Sequence, residues 1–170
     1  MTITSPGLKE AMRNVPSTVA LITSRDQDGK PHGMAASAVI SVSVDPPSVL
    51  VAVNQTAGIF PVVRSTGRIC INFLGKHQEH LIEPFSRSDM REHRFAFEDW
   101  SDAHHASTDR LPWLPGARAV VFGEIDHEVP YGSHSLFIAK VSRVCLPSTE
   151  TTERSPLVWI GGKSASLSYA

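Results

Sequence analysis

No run of this 170-residue chain approaches the roughly 20 consecutive apolar residues that would span a bilayer. The opening MTITSPGLKEAMRNV also lacks the basic-then-apolar layout of a secretion signal, so a cytoplasmic protein without a membrane partner is expected. Cysteine is scarce: Cys70 and Cys145 lie far apart, each inside an apolar run, which favours reduced core thiols and excludes a cysteine-based metal site. A formal charge of -1 removes the electrostatic footprint of a nucleic-acid binder. There is no Gly-x-Ser-x-Gly elbow, and Gly29, Gly33, Gly161 and Gly162 form neither a Walker loop nor a dinucleotide fingerprint. What remains is the length of one ordinary domain, residues 1–170, with 41% hydrophobic and 19% charged residues, and a small-molecule partner.

The periodicities are mostly those of strands. Ser5 and Pro6 read as a cap and first position of a short helix carrying Leu8, Ala11, Met12 and Val15 on one side. Thr18 to Thr23 reads as a strand that turns at the Asp-Gly of RDQDGKP into HGMAASAV, which makes a hairpin. Ile40, Val42 and Val44 alternate with polar residues, predicting a half-buried strand that ends at Pro46-Pro47, after which Ser48 to Val53 forms a more buried one. IFPVVRSTG fits a short helix with Pro61 in its first turn and Gly67 as its stop, and RICINFL a strand. His77 to Phe85 has weak helical spacing, while Ser86 to Arg110 reads as a long surface excursion, a flap or an interface. Ala117 to His127 and Ser135 to Val144, joined by EVPYGSH, form another hairpin, and Leu157 to Ile160 closes the sheet. The expected fold class is mainly β: an antiparallel barrel of six or seven strands with a few peripheral helices.

Chemistry is sparse along this chain. Between Gly33 and Val53 the only charge is Asp45, and Ala35, Ala36, Ser37 and Ala38 form a patch of tiny side chains. That patch suits either a tight barrel corner or the close approach of a flat heteroaromatic ring to the backbone. Asn54, Gln55 and Thr56, between a strand and a helix start, suit either an ordinary turn or a phosphate. His134, in a turn before an apolar strand, is either a solvated turn residue or a donor and proton carrier near neutral pH. His104 and His105 between Asp102 and Asp109 have the composition of a metal cluster but match no standard spacing, and His77 with His80 lack a third ligand, so no metal is expected. An enzyme without an acid-base constellation is what a protein looks like when a cofactor carries the difficult chemistry.

Four segments resemble a known family: HGMAASAVISVSVDPPSVLVAVN, STGRICINFLGKHQEHLIEPFS, Arg94-Phe95 and YGSHSLFIAKV are similar to the flavin reductase-like family, the small reductase components of two-component flavin monooxygenases. The resemblance runs from about Val15 to Leu167. It implies a split β-barrel, usually a homodimer, that binds FMN or FAD and reduces it with NADH or NADPH by hydride transfer to N5, for use by a separate oxygenase. Carried over by position, Met34, Ala35, Ala36 and Ser37 would contact the ring and ribityl chain, Asn54, Gln55 and Thr56 the phosphate region, and Phe85, Ser86 and Arg87 would border the flavin. His134 would lie near the nicotinamide. Ala35 and Ala38 stand where the family commonly has hydroxyl residues, and GGKSASL lacks the arginine or tyrosine often found after the final strand. A flavin-binding module without turnover, or a reductase of a metal complex or corrinoid on the same barrel, are the competing expectations.

Overall fold

In the computed structural model, residues 7–102, 110–147 and 155–167 are described. Strands dominate, as the alternation predicted. β1 (Ser17–Thr18) is followed at once by β2 (Ala20–Arg25), β3 (Pro31–Ala36), β4 (Val39–Val44) and β5 (Pro47–Asn54). After helix α2 (Phe60–Thr66) come β6 (Arg68–Phe73), the long pair β7 (Ala119–Tyr131) and β8 (His134–Cys145), and two short strands, β9 (Val158–Ile160) and β10 (Lys163–Ala165). Seven strands form one antiparallel sheet in the order β3-β2-β6-β7-β8-β5-β4. The expectation that Leu157 to Ile160 closes this sheet is corrected: β9 pairs with β1 and β10 in a separate three-stranded sheet.

β2 shows how the core is divided. Leu21 faces a cluster with Cys70, Leu74, Leu81, Phe85, Trp100 and Leu157, while its neighbours Ala20 and Ile22 face another with Val51, Val53, Ile69, Ile71 and Phe137. With side chains alternating across the sheet, both faces of β2 are covered, and all six of its residues are buried. The Asp-Gly turn forms as expected: the Asp26 carboxylate accepts from the backbone N–H groups of Asp28 (3.1 Å) and Lys30 (2.8 Å), and Gly29 takes the positive φ the turn needs.

Helix α1 (Gly7–Arg13) exists, but it buries none of its residues; Leu8 and Met12 are exposed, and Ser5 and Pro6 lie outside the described residues. α2 (Phe60–Thr66) has Pro61 in its first turn and ends on Gly67, whose left-handed backbone lets its N–H reach the Val63 carbonyl at 2.9 Å. β4 departs from the reading as a half-buried strand: it is an edge strand, and Ile40, Val42 and Val44 are all exposed. The β7–β8 hairpin runs longer than its apolar core suggested. EVPY continues β7, and only Gly132-Ser133 remains as the turn. β6 pairs with β7 only as far as Glu124, so Pro130 costs no ladder bond on that side.

Between residues 76 and 102 the helical reading of His77 to Phe85 holds, and the surface excursion from Ser86 holds in part. A 3-10 turn (Lys76–Leu81) leads into α3 (Ile82–Ser86), and a second 3-10 turn spans Arg91–Ala96. From Ser86 to Asp102 most residues are exposed, as a surface excursion would have them, but Arg94, Phe95 and Trp100 anchor it: Phe95 and Trp100 are buried against Phe85 with ring centroids 5.1–5.5 Å apart. Aromatic pairs in such offset and edge-on arrangements each add about 0.5–1.5 kcal/mol beyond their burial. His104, His105 and Asp109 lie outside the described residues.

Candidate functional site

Three sequence-distant segments meet at one cavity of about 250 Å³: Gly33, Met34 and Ala35 from β3, Thr56, Ala57 and Gly58 from the turn after β5, and Phe85, Ser86, Ser88, Arg91 and Arg94 from α3 onward. Whole-ligand pockets usually measure about 300–1,000 Å³, so a cavity this small suits one end of a nucleotide-sized ligand.

Glycines set its walls. A Cβ on Gly33 would stand 2.5 Å from Cε1 of Phe85, so only glycine lets β3 lie against that ring. A Cβ on Gly58 would stand 2.6 Å from Cζ of Arg91, so the guanidinium lies directly over the Gly58 backbone. Arg94 is buried and fixes the far wall: Nε donates to the Pro84 carbonyl and Nη2 to that of Arg87, both at 2.8 Å, and Nη1 donates to the Gly33 carbonyl. One side chain thereby joins β3, α3 and the chain after α3. Burial, and after it the positive charge of Arg91, push the Arg94 guanidinium below its usual pKa.

Of the expected site residues, Met34, Ala35, Thr56, Phe85 and Ser86 line this cavity. The others do not. Ala36 pairs with Ala20 and packs against the second core cluster. Ser37 lines a different cavity of about 320 Å³, with Val15, Trp159 and Ile160, so the stretch Met34 to Ser37 reaches from one cavity to the next. Arg87 is exposed and engaged by Asp89 and Glu83, which raise its pKa. His134 is half-buried at the start of β8, opposite Asn54, with Nδ1 2.9 Å from Ser133 Oγ. Gln55 Nε2 donates to the His134 carbonyl at 3.1 Å.

The turn after β5 keeps many of its donors for itself. Asn54 Oδ1 accepts from both the N–H and the hydroxyl of Thr56, at 2.9 and 2.8 Å. The Gln55 N–H goes to Ser133 and the Ala57 N–H to Asn54. Gly58, Ser88, Arg91 and Arg94 escape a reading by residue type, because an arginine among charges reads as a solvated face. The only signal was Arg94-Phe95 and Trp100, apolar bulk inside a charged run.

A larger cavity, about 510 Å³, is walled by Arg68, Asp102, Arg110, Phe122, Ser142 and Arg143 among others. It contains none of the expected site residues. Neither thiol offers reactivity at the site: Cys70 and Cys145 are free, and burial pushes the Cys70 pKa up. Among the described residues no group of three potential ligands could hold a metal.

The chain is similar to known proteins over most of its length. A family model described as a flavin reductase like domain matches residues 12–168. The FMN reductase (NADH) of Klebsiella pneumoniae is 31% identical over 153 residues, 90% of this chain and 88% of the relative. The reductase component of the FADH(2)-dependent resorcinol hydroxylase of a Rhizobium species is 31% identical over 163 residues, 95% of this chain and 87% of the relative. The solved flavin reductase of the styrene monooxygenase from Pseudomonas putida S12 superposes with a TM-score of 0.80 over 95% of this chain and 97% of that one, at 23% identity, a likeness of fold. The chain belongs to the flavin reductase-like family and folds as its split β-barrel.

Proposed function

We propose that this protein is a flavin reductase that uses NADH or NADPH to reduce FMN or FAD and supplies the reduced flavin to a separate monooxygenase. The observation that carries the reading is the meeting of β3, the turn after β5 and α3 at one cavity where Gly33, Ala35, Ala57 and Gly58 leave the backbone open, in a chain of this family. Its relatives' names support both flavins, one carrying FMN with NADH and the other an FADH(2)-dependent hydroxylase.

The bound flavin supplies the hydride-accepting chemistry. The chain binds and orients it. Met34 to Ser37 offer backbone groups, and Ala35 to Ser37 little side-chain bulk, to a flat ring, and the Gly33–Phe85 contact holds that stretch in place. No side chain forms a covalent bond in this scheme. His134, with Nδ1 engaged by Ser133, presents Nε2 to the nicotinamide and holds it or relays a proton. That role is worth at most the ~10²- to 10⁴-fold of general acid-base help. His134→Ala with unchanged turnover at saturating nicotinamide and an unchanged pH profile would remove it.

The unit is a homodimer of single-domain chains acting in the cytoplasm. Its support is β4: an unpaired sheet edge carrying exposed Ile40, Val42 and Val44 is a surface that a second copy covers.

The test is nicotinamide absorbance with purified protein, NADH or NADPH, and added FMN or FAD. Oxidation that depends on added flavin is the expected result. Flavin binding without turnover in any combination would favour a non-catalytic flavin carrier instead.

A further inference from the structure

Two arginines face the cavity beside Thr56 to Gly58, and they differ in what holds them. Arg94 donates to three backbone carbonyls. Arg91 forms no ion pair with any described residue. The carboxylates nearest it in sequence are taken by other cations: Glu92 by Lys30 at 2.9 Å, and Asp89 by Arg87 at 2.6 Å. Its guanidinium lies over the Gly58 backbone, in space that any Cβ would enter. The turn below it has spent the Thr56 hydroxyl and N–H on Asn54, so that turn alone is a poor anion receptor.

We infer that Arg91 is the cation that receives the phosphate end of the flavin nucleotide, and that Gly58 is glycine to make room for it. The inference rests on the flavin-reductase reading and assigns one end of that site. A planar guanidinium offers forked donors that match phosphate oxygens. The exposed hydroxyls of Ser86 and Ser88 line the same cavity and complete a polar rim around the anion. A cation held beside the charge of Arg94, with the adjacent Glu92 carboxylate already bonded to Lys30, gains most from an incoming anion.

The test compares FMN with riboflavin, which has the same ring and ribityl chain and no phosphate. Binding is followed by flavin fluorescence or calorimetry for the wild type, Arg91→Met, Arg91→Lys and Gly58→Ala. Loss of a charge-assisted bond predicts about a 10- to 100-fold weaker FMN Kd for Arg91→Met, with riboflavin affinity unchanged and FMN affinity no longer falling with salt. Arg91→Lys recovers part of the loss. Gly58→Ala folds, because the atoms its Cβ would meet are the far end of a flexible side chain, yet it shows the same FMN-selective loss by displacing the guanidinium.

Equal losses for FMN and riboflavin, or no loss for either, would overturn the assignment to Arg91 alone. So would an Arg91→Met protein that keeps its FMN affinity but has a raised KM for NADH, since the anion received would then be the dinucleotide's. A wild type that binds neither flavin would overturn the flavin reading itself, and this assignment with it.

Discussion

β2 and β4 are six-residue strands of one sheet, both rich in branched apolar residues, and they meet opposite fates. β2 lies between β3 and β6 and is buried along its whole length, including Thr23, Ser24 and Arg25. β4 has one neighbour, and its apolar Ile40, Val42 and Val44 face solvent. Alternation says that a strand has two faces, but only the sheet's order says what covers each. In β2 even a charge is drawn inside, because its partners are waiting: Arg25 donates from Nε to the Arg110 carbonyl at 2.8 Å and from its terminal nitrogens to the carbonyls of Gly29 and Asp102. In β4 the apolar side chains stay exposed, and the proposed dimer would cover them.

Substitutions at the two strands sharpen the contrast. Arg25→Met should be the most damaging, because it strips three backbone carbonyls of a charged donor. A loss of about 1.5–3 kcal/mol in chemical denaturation is expected, and a loss under about 1 kcal/mol would mean that the Arg25 bonds add little. A smaller effect is expected at the hairpin tip joining β2 to β3. There burial opposes the charged form of Asp26, but the hydrogen bond from His32 at 2.8 Å and those from Lys30 and Asp28 outweigh it and hold the carboxyl below its usual pKa. A carboxylate shifted down stabilises the fold above its unfolded pKa, near 3.9, and ceases to as pH falls through the folded value. Asp26→Asn should therefore cost about 1 kcal/mol at neutral pH, a gap that closes as pH falls through the lowered folded pKa of Asp26. A gap that persists in acid would point to packing at the tip instead of charge. Least damaging to the chain's own stability is the pair Ile40→Lys and Val44→Lys, expected to change it by no more than about 0.5 kcal/mol while turning a dimer into a monomer in light scattering. A charged β4 that still dimerises would place the interface elsewhere.

The same contrast explains what could be read from the sequence. Hairpins and helix ends were legible because their signals are local: Asp28-Gly29 for the β2–β3 turn, Pro61 and Gly67 for α2. The segments bearing Met34, Thr56 and Phe85 were legible through the family resemblance, and the fold brings them to one cavity. Two things were not legible. One is the burial of Phe85, Phe95 and Trp100, which meet only after two 3-10 turns bring them together. The other is the difference between Arg91 and Arg94, two arginines three positions apart in one charged run. What distinguishes them is which carbonyls and which glycine stand nearby in space.

The most direct test of the whole account is a crystal structure with FMN bound. The ring should lie along Met34 to Ser37, with the phosphate between Gly58, Ser86, Ser88 and Arg91. Flavin seated instead in the larger cavity beside Phe122 and Arg143 would contradict the site assignment.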